Sequence, residues 1–466
     1  MTADRSFAPV HQLVAEIAGR RLSPVDLVDA LLQRIGAQDP KLHAFVEVYA
    51  GDARLAAEAA EKAIRAGHAV GPLHGIPIAL KDLIEIDGRI ATGGAFIWRD
   101  RRSTQTATLV RRLMAQGLIV IGKTHTVEFA MGGWGTNQRL GTPWNPWDLD
   151  VPRTPGGSSS GSGVAVAAGL VPWAVGTDTG GSVRLPAAWC GLTGLKTTVG
   201  RVSLHGILPL SPTLDTPGPM ARNVEDVALL YQAMQGADPL DPRTLACPPN
   251  SDPTPGLRRG VRGLRLARMP DSERGRVAPD VLAAYDRSLE ELARLGAEIV
   301  PVSLPFGFAD FAALNGRIMA AEGYAILADL VDDESLPLDE DVRPRLRAGR
   351  DISARAYLEA LRRRGEMKRA FAAALGPVDA LLTPTTETAA LPLAAVDQSA
   401  APSHFTRFVN FLDLCALSLP NGFTAEGLPT SLQIVCRAYE EATALRIGWA
   451  YQNATDWHER HPEIAA

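Results

Sequence analysis

The 466-residue chain has few cysteines, few aromatic residues and no hydrophobic run long enough to cross a bilayer. Its four cysteines show no Cys-x-x-Cys spacing, which argues against a zinc site or a disulfide framework. The longest apolar stretch, 163–176, is broken by Gly169 and Pro172 and is too short to span a membrane. The first residues lack a basic segment followed by an apolar core. We therefore expect no signal peptide and a cytoplasmic protein without membrane contact.

An excess of charge of either sign is also missing. The chain carries 47 basic and 52 acidic residues, a net charge of −5, so we expect no direct binding of nucleic acid. Hydrophobic residues make up 46% of the sequence, which is ample for a buried core and excludes a disordered chain. Length alone predicts roughly three domains of about 150 residues, or one large fold.

What the first third of the sequence does contain is an alternation of helix-like and strand-like segments. Helical patterns are predicted at 23–36, where Gly36 is expected to end the helix, at 52–66 and at 104–116. Short apolar runs at 76–80 and 118–121 are typical of buried strands. This alternation predicts an α/β fold with a largely covered sheet.

Glycine is the residue whose distribution is unusual. Of 43 glycines, 15 lie between residues 131 and 200. Within this window, the stretch 155–163 reads Pro-Gly-Gly-Ser-Ser-Ser-Gly-Ser-Gly, which allows three interpretations. A flexible linker would not run directly into the apolar 164–168, and a phosphate loop would need a lysine at its end. A nucleophile elbow, Gly157 to Gly161, would need a preceding strand that the sequence does not predict.

Two further clusters carry candidate chemistry. In 176–184, two adjacent glycines precede Ser182, so successive backbone N–H groups could face one point, as in an oxyanion hole. Lys81 directly follows the buried run 76–80, at the end of a strand where α/β proteins place their sites. Burial disfavours the ammonium form, so such a lysine can act as a general base.

Taken together, these clusters resemble the amidase signature family. The resemblance rests on 75–82, 156–161 and 178–184, on 128–132, 145–148 and 194–201, and on 427–433 near the C-terminus. Ser158 and Ser182 are 24 residues apart, as the family pattern requires. The usual Gly-Gly-Ser-Ser-Gly-Gly motif is altered here by Ser160 and Ser162, so the choice of Ser158 over Ser159 and Ser160 rests on that spacing.

The resemblance implies a role for each matching residue. Ser182 is expected to be the nucleophile, Ser158 the bridging serine on a cis peptide bond with Gly157, and Lys81 the base. The expected oxyanion donors are the backbone N–H groups of four consecutive residues, Thr179, Gly180, Gly181 and Ser182. The substrate-binding loop is expected to comprise Met131, Gly132, Gly133 and Trp134, and the residues that order the Ser182 loop are expected to be Asp178 and Arg184. No metal or cofactor is implied.

The family also implies one large α/β domain over 1–466, with a mixed central sheet covered on both faces by helices. We expect N-terminal helices over about 1–70, the signature core over 71–227, a variable pocket segment over 240–375 and a return to the core over 376–466. The family commonly forms homodimers, and a homodimer is therefore a possible assembly here.

Two activities fit this resemblance. The first is a stand-alone amidohydrolase of the small-molecule branch, cleaving the C–N bond of an amide through an acyl-enzyme; segment 208–215 favours it. The alternative is the A subunit of a glutamyl-tRNA(Gln) or aspartyl-tRNA(Asn) amidotransferase. A protein of another class, with 156–163 as a phosphate cradle for a nucleotide, is a third hypothesis.

Overall fold

A computed structural model describes residues 5–250 and 252–464 of the chain. The first four residues, which belong to the segment predicted to lack a signal peptide, lie outside this part. Eleven strands occur among the described residues: β1 (Phe45–Val48), β2 (Pro77–Lys81), β3 (Ile119–Thr124), β4 (Trp173–Asp178), β5 (Thr193–Lys196), β6 (Thr216–Ala221), β7 (Arg265–Arg268), β8 (Glu298–Val300), β9 (Ala380–Pro384), β10 (Cys415–Phe423) and β11 (Pro429–Cys436).

Thirteen α-helices accompany them in the same part of the chain: α1 (Val10–Ala18), α2 (Pro24–Leu42), α3 (Ala50–Arg65), α4 (Thr108–Ala115), α5 (Ser160–Ala167), α6 (Arg184–Trp189), α7 (Val224–Met234), α8 (Pro279–Arg294), α9 (Phe308–Val331), α10 (Val342–Arg347), α11 (Ala354–Leu375), α12 (Arg407–Phe411) and α13 (Glu441–Gln452). No helix in the described ranges combines the length and the apolar character that a membrane span needs.

All eleven strands form one sheet in the order β1-β3-β2-β4-β6-β5-β10-β11-β9-β7-β8. Strands β3, β2 and β4 run parallel, as do β9, β7 and β8, whereas the strands between these two groups pair antiparallel. Helices flank the sheet, with α5 against β4, α7 against β6, and α8 and α13 against β10. The expected α/β fold with a mixed, helix-covered sheet is confirmed.

The helix predicted to end at Gly36 is longer than expected. Ser23 caps its N-terminus by accepting a hydrogen bond from the Val25 amide, but the helix continues through Gly36 to Leu42. A glycine inside a helix costs about 1 kcal/mol. Burying a leucine such as Leu42 contributes about 1.5–3 kcal/mol, which outweighs that cost. The helix ends instead at His43, which has a left-handed conformation (φ 50°).

Candidate active site

Two neighbouring parallel strands bring the first candidate residues together. Strand β2 ends at Lys81 and strand β4 ends at Asp178, and the two strands pair in parallel. The carboxyl ends of parallel strands lie at the same edge of a sheet, which is where α/β proteins bind their ligands. Ser158 precedes α5 and Ser182 precedes α6, so the two serines lie in the loops that lead into these helices.

Lys81 is fully buried and donates two hydrogen bonds. Its Nζ lies 2.7 Å from Ser158 Oγ and 2.7 Å from Thr177 Oγ1. Burial lowers the pKa of Lys81 from 10.5 to about 7, although the charges of Asp215 and Asp178 oppose the shift. A depression of this size corresponds to roughly 5 kcal/mol disfavouring the ammonium form. A substantial fraction of Lys81 is therefore neutral near pH 7 and able to accept a proton.

The geometry distinguishes among the three consecutive serines of the altered motif. Of these three serines, Ser158 accepts the hydrogen bond from Lys81, and its peptide bond with Gly157 is cis. Ser159 is engaged elsewhere, because its Oγ donates to the Thr177 carbonyl at 3.1 Å. The buried hydroxyl of Ser160 has no hydrogen-bond partner in the described structure. These contacts agree with the choice of Ser158 that the 24-residue spacing suggests.

Ser182 lines a cavity and is 7% exposed. The segment that carries it is tied to the neighbouring serine loop, because the Ser159 amide donates to the Ser182 carbonyl at 3.3 Å. Its own hydroxyl makes no hydrogen bond with a described residue. The Ser182 side chain is therefore unengaged and accessible from the cavity.

Three of the four expected oxyanion donors are available. The amides of Thr179, Gly180 and Ser182 donate to no described residue. The Gly181 amide does not fit the expectation, because it donates to Asp178 Oδ1 at 2.8 Å. A donor that is already paired with a buried carboxylate is less available to an oxyanion. The contribution of Gly181 is conformational instead.

Glycine is required at position 181 for two reasons. Its φ is +135°, which side-chain-bearing residues rarely adopt. A β-carbon at this position would also collide with the side chain of Thr406. Gly181 therefore allows the backbone turn between Gly180 and Ser182, two residues that line the cavity.

A buried ion pair holds this loop in place. Asp178 binds Arg184 through both carboxylate oxygens, at 2.9 and 3.0 Å, and accepts hydrogen bonds from the amides of Gly181 and Val183. Burial would raise the pKa of Asp178, but the Arg184 charge and its hydrogen bonds outweigh this effect and hold the pKa well below the usual range. Arg184 is itself fully buried and does not line the cavity.

Several residues of the site were not predicted to have a role in it. Thr177 is the second partner of Lys81, and Asn410 and Gln433 accept hydrogen bonds from Arg184. Asp215 accepts a 2.5 Å hydrogen bond from the Thr179 hydroxyl, and burial raises its pKa to about 6. The signal that could have indicated Thr177 is its position on the strand that leads to Asp178.

The cavity above Ser182 has a volume of about 340 Å³. Its lining includes the whole predicted loop, Met131, Gly132, Gly133 and Trp134, together with Thr179 and Gly180. Trp134 is stacked on Trp189 at 5.4 Å, and its indole N–H donates to the carbonyls of two residues in the 397–400 segment. The Trp134 ring is thus a fixed wall of the cavity. No group of three potential metal ligands occurs in the described ranges.

Comparison with known proteins assigns the chain to a protein family. The sequence model of the Amidase family matches residues 26–445, most of the chain. The chain therefore belongs to the amidase family.

Among curated proteins, the A subunit of glutamyl-tRNA(Gln) amidotransferase from Chloroflexus aggregans is 38% identical and covers 96% of both chains. An amidase of Pseudomonas putida is 39% identical over 97% of both chains. Further amidotransferase A subunits, from Roseiflexus castenholzii and Geobacter metallireducens, are 38% and 36% identical. Among solved structures, the peptide amidase from Stenotrophomonas maltophilia is 32% identical, with a TM-score of 0.88 and 99% coverage of both chains.

Proposed function

We propose that the chain cleaves the C–N bond of an amide through an acyl-enzyme on Ser182. The observation that carries this proposal is the 2.7 Å contact between the buried Lys81 amine and the Ser158 hydroxyl, in a loop that is hydrogen-bonded to the Ser182 backbone. A serine hydroxyl becomes nucleophilic when an adjacent base removes its proton. Lys81, with its lowered pKa, supplies that base without a histidine.

The proposed reaction proceeds in two halves. When substrate fills the cavity, the Ser182 hydroxyl turns toward Ser158 and gives it a proton while Ser158 passes its own proton to Lys81. The Ser182 oxygen bonds to the amide carbon, and the resulting oxyanion accepts hydrogen bonds from the free amides of Thr179 and Gly180. The relay then runs in reverse, so that Ser158 protonates the leaving nitrogen as the C–N bond breaks. Water, activated by the same relay, hydrolyses the acyl-enzyme.

The relatives favour a function as the A subunit of an amidotransferase over the stand-alone hydrolase that the sequence suggests. Several of the similar curated proteins are named as A subunits of glutamyl-tRNA(Gln) amidotransferase, and they match over nearly the whole chain. We therefore propose this setting first: the chain releases nitrogen from an amide donor as one component of a larger enzyme.

A stand-alone amidase is the second candidate, and one observation favours it. No Asp or Glu among the described residues lines the cavity above Ser182. Glutamine would therefore bring an α-ammonium group into the cavity without a carboxylate to pair with it, and burying an unpaired charge is costly. The amidase of Pseudomonas putida is as similar to this chain as the amidotransferase A subunits are.

Ammonia release by the purified chain tests both settings. Under the amidotransferase proposal, the chain alone releases little ammonia from glutamine or simple amides, and release rises when it is co-purified with partner subunits. Turnover of simple amides by the chain alone, at about 1 s⁻¹ or more, would favour the stand-alone enzyme. Ser182→Ala must abolish release in either setting. If Ser182→Ala kept full activity, the common chemistry would be wrong.

A further inference from the structure

The cavity contains an arginine that has no partner. Arg407, the first residue of α12, lines the cavity together with Ser182. Its guanidinium makes no hydrogen bond or ion pair with any residue in the described ranges. Arg184, by contrast, uses its guanidinium for five hydrogen bonds, to Asp178, Thr406, Gln433 and Asn410. Arg407 is partly buried, and a guanidinium that faces a cavity without a protein partner is available to an anionic ligand there.

The charges around Arg407 make the cavity electropositive. Arg345 also lines it, and its guanidinium is occupied by neutral acceptors, the Met131 carbonyl and both oxygens of Gln398. Burial and repulsion from Arg345 both lower the pKa of Arg407. The carboxylates of Asp341 and Asp339 act on Arg345 through space, but neither lines the cavity. The cavity therefore has two cations and no anion of its own among the described residues.

A second buried polar group lies at the same place. Asn315, on α9, is fully buried, and neither its amide nitrogen nor its amide oxygen has a hydrogen-bond partner in the described structure. Both Asn315 Oδ1 and Arg407 Nε lie 3.8 Å from the position that a β-carbon on Gly180 would occupy. Two polar side chains without a partner among the described residues thus lie beside Gly180.

We infer that the substrate is an amide that carries a carboxylate, and that Arg407 binds this carboxylate as the specificity-determining residue of the site. The inference rests on the proposed amide cleavage at Ser182 and adds the chemical class of the substrate. A guanidinium presents a planar pair of N–H donors that matches the two oxygens of a carboxylate. A neutral substrate would leave the Arg407 charge unpaired, and a substrate with only an ammonium group would be repelled.

The position of Arg407 limits the length of the substrate. Its stem packs on Gly180, with Cγ 3.4 Å from the β-carbon position, and Gly180 lies two residues before Ser182. A carboxylate bound there is close to the oxyanion donors, so only a short chain fits between it and the scissile amide. Succinamate and glutaramate have this form. Pentanamide, which replaces the carboxylate of glutaramate by a methyl group, is the matched neutral compound.

Direct binding tests the inference independently of turnover. Titration calorimetry with glutarate, using the full chain carrying Ser182→Ala, is expected to show binding that Arg407→Met weakens on the order of 100-fold. Arg407→Lys, which keeps the charge but not the planar fork, is expected to restore part of the affinity. Arg294→Met, at an exposed arginine on α8, is the matched control and should leave binding unchanged. Melting temperatures identify any variant that has lost its fold.

Turnover gives the second readout. In the chain with an intact Ser182, or in its complex with partner subunits, the ratio of kcat/KM for glutaramate to that for pentanamide should fall on the order of 100-fold in Arg407→Met. Absence of glutarate binding, or equal binding and an equal ratio in Arg407→Met and Arg294→Met, would overturn the inference. If glutarate binds through Arg407 but Ser182 forms no acyl-enzyme, the proposed function fails while the anion site stands.

Discussion

Lowering the pH through neutrality is expected to suppress acylation of Ser182, because Lys81 must be neutral to accept the proton. Burial lowers the pKa of Lys81 to about 7, so its neutral fraction is about one half there and falls tenfold for each further pH unit. Two units below the midpoint, only about 1% of Lys81 is neutral. The acylation rate is therefore expected to rise with pH up to about 7 and to level off above it.

The assay is the second-order rate of Ser182 labelling by a fluorophosphonate, followed by intact mass over a range of pH. Lys81→Ala is expected to lower the plateau rate by about 10²–10⁴-fold and to remove the rise near pH 7. Glu128 needs a control, because burial raises its pKa to about 7 as well. In Glu128→Gln the midpoint should stay where it is in the unmodified chain.

Two results would refute this reasoning. One is a labelling rate that does not depend on pH between about 5 and 9, which would mean that Lys81 does not titrate in this range. The other is a Lys81→Ala protein that keeps the same midpoint, which would assign the titration to another group, such as Asp215, whose pKa is raised to about 6.

Three substitutions test other parts of the site. Ser158→Ala should slow the labelling of Ser182 by about 10²–10⁴-fold. Ser160→Ala, which removes a hydroxyl without a partner, should change the labelling rate little. Equal losses in the two variants would contradict the role of Ser158 in the proton relay. Gly181→Ala should lower kcat/KM by about 10²-fold or more by displacing the loop amides, and an unchanged kcat/KM would show that the loop tolerates a side chain. Asp178→Ala should lower the free energy of unfolding, measured in urea, by about 3–5 kcal/mol, because it leaves the Arg184 charge buried without its anion. A loss below about 1 kcal/mol would contradict a stabilising role of this ion pair.

The sequence is most informative where chemistry needs fixed residues at fixed spacing. The relation between Ser158 and Ser182 and the position of Lys81 after a buried strand both lead to residues that the structure brings to one edge of the sheet. The α/β class follows from the alternation of helical and apolar patterns, because that alternation reflects burial on both faces of the sheet.

What the sequence could not provide depends on contacts between distant segments. The Gly-Gly-Ser pattern at 180–182 predicts that the Gly181 amide is an oxyanion donor. The pairing of that amide with Asp178 is visible only in three dimensions. Arg407 and Asn315 belong to no motif, and both lie near Gly180 only because α9 and α12 pack against each other in the fold. Gly36 was expected to end a helix, yet burial further along the same helix face overrides its local preference.

The most direct test of the central claim is to locate the covalent adduct after treatment with a fluorophosphonate. We expect one adduct per chain, mapped by peptide mass spectrometry to Ser182 and absent from Ser182→Ala. Labelling of another residue, or no labelling of a folded chain that still releases ammonia from amides, would contradict an acyl-enzyme on Ser182.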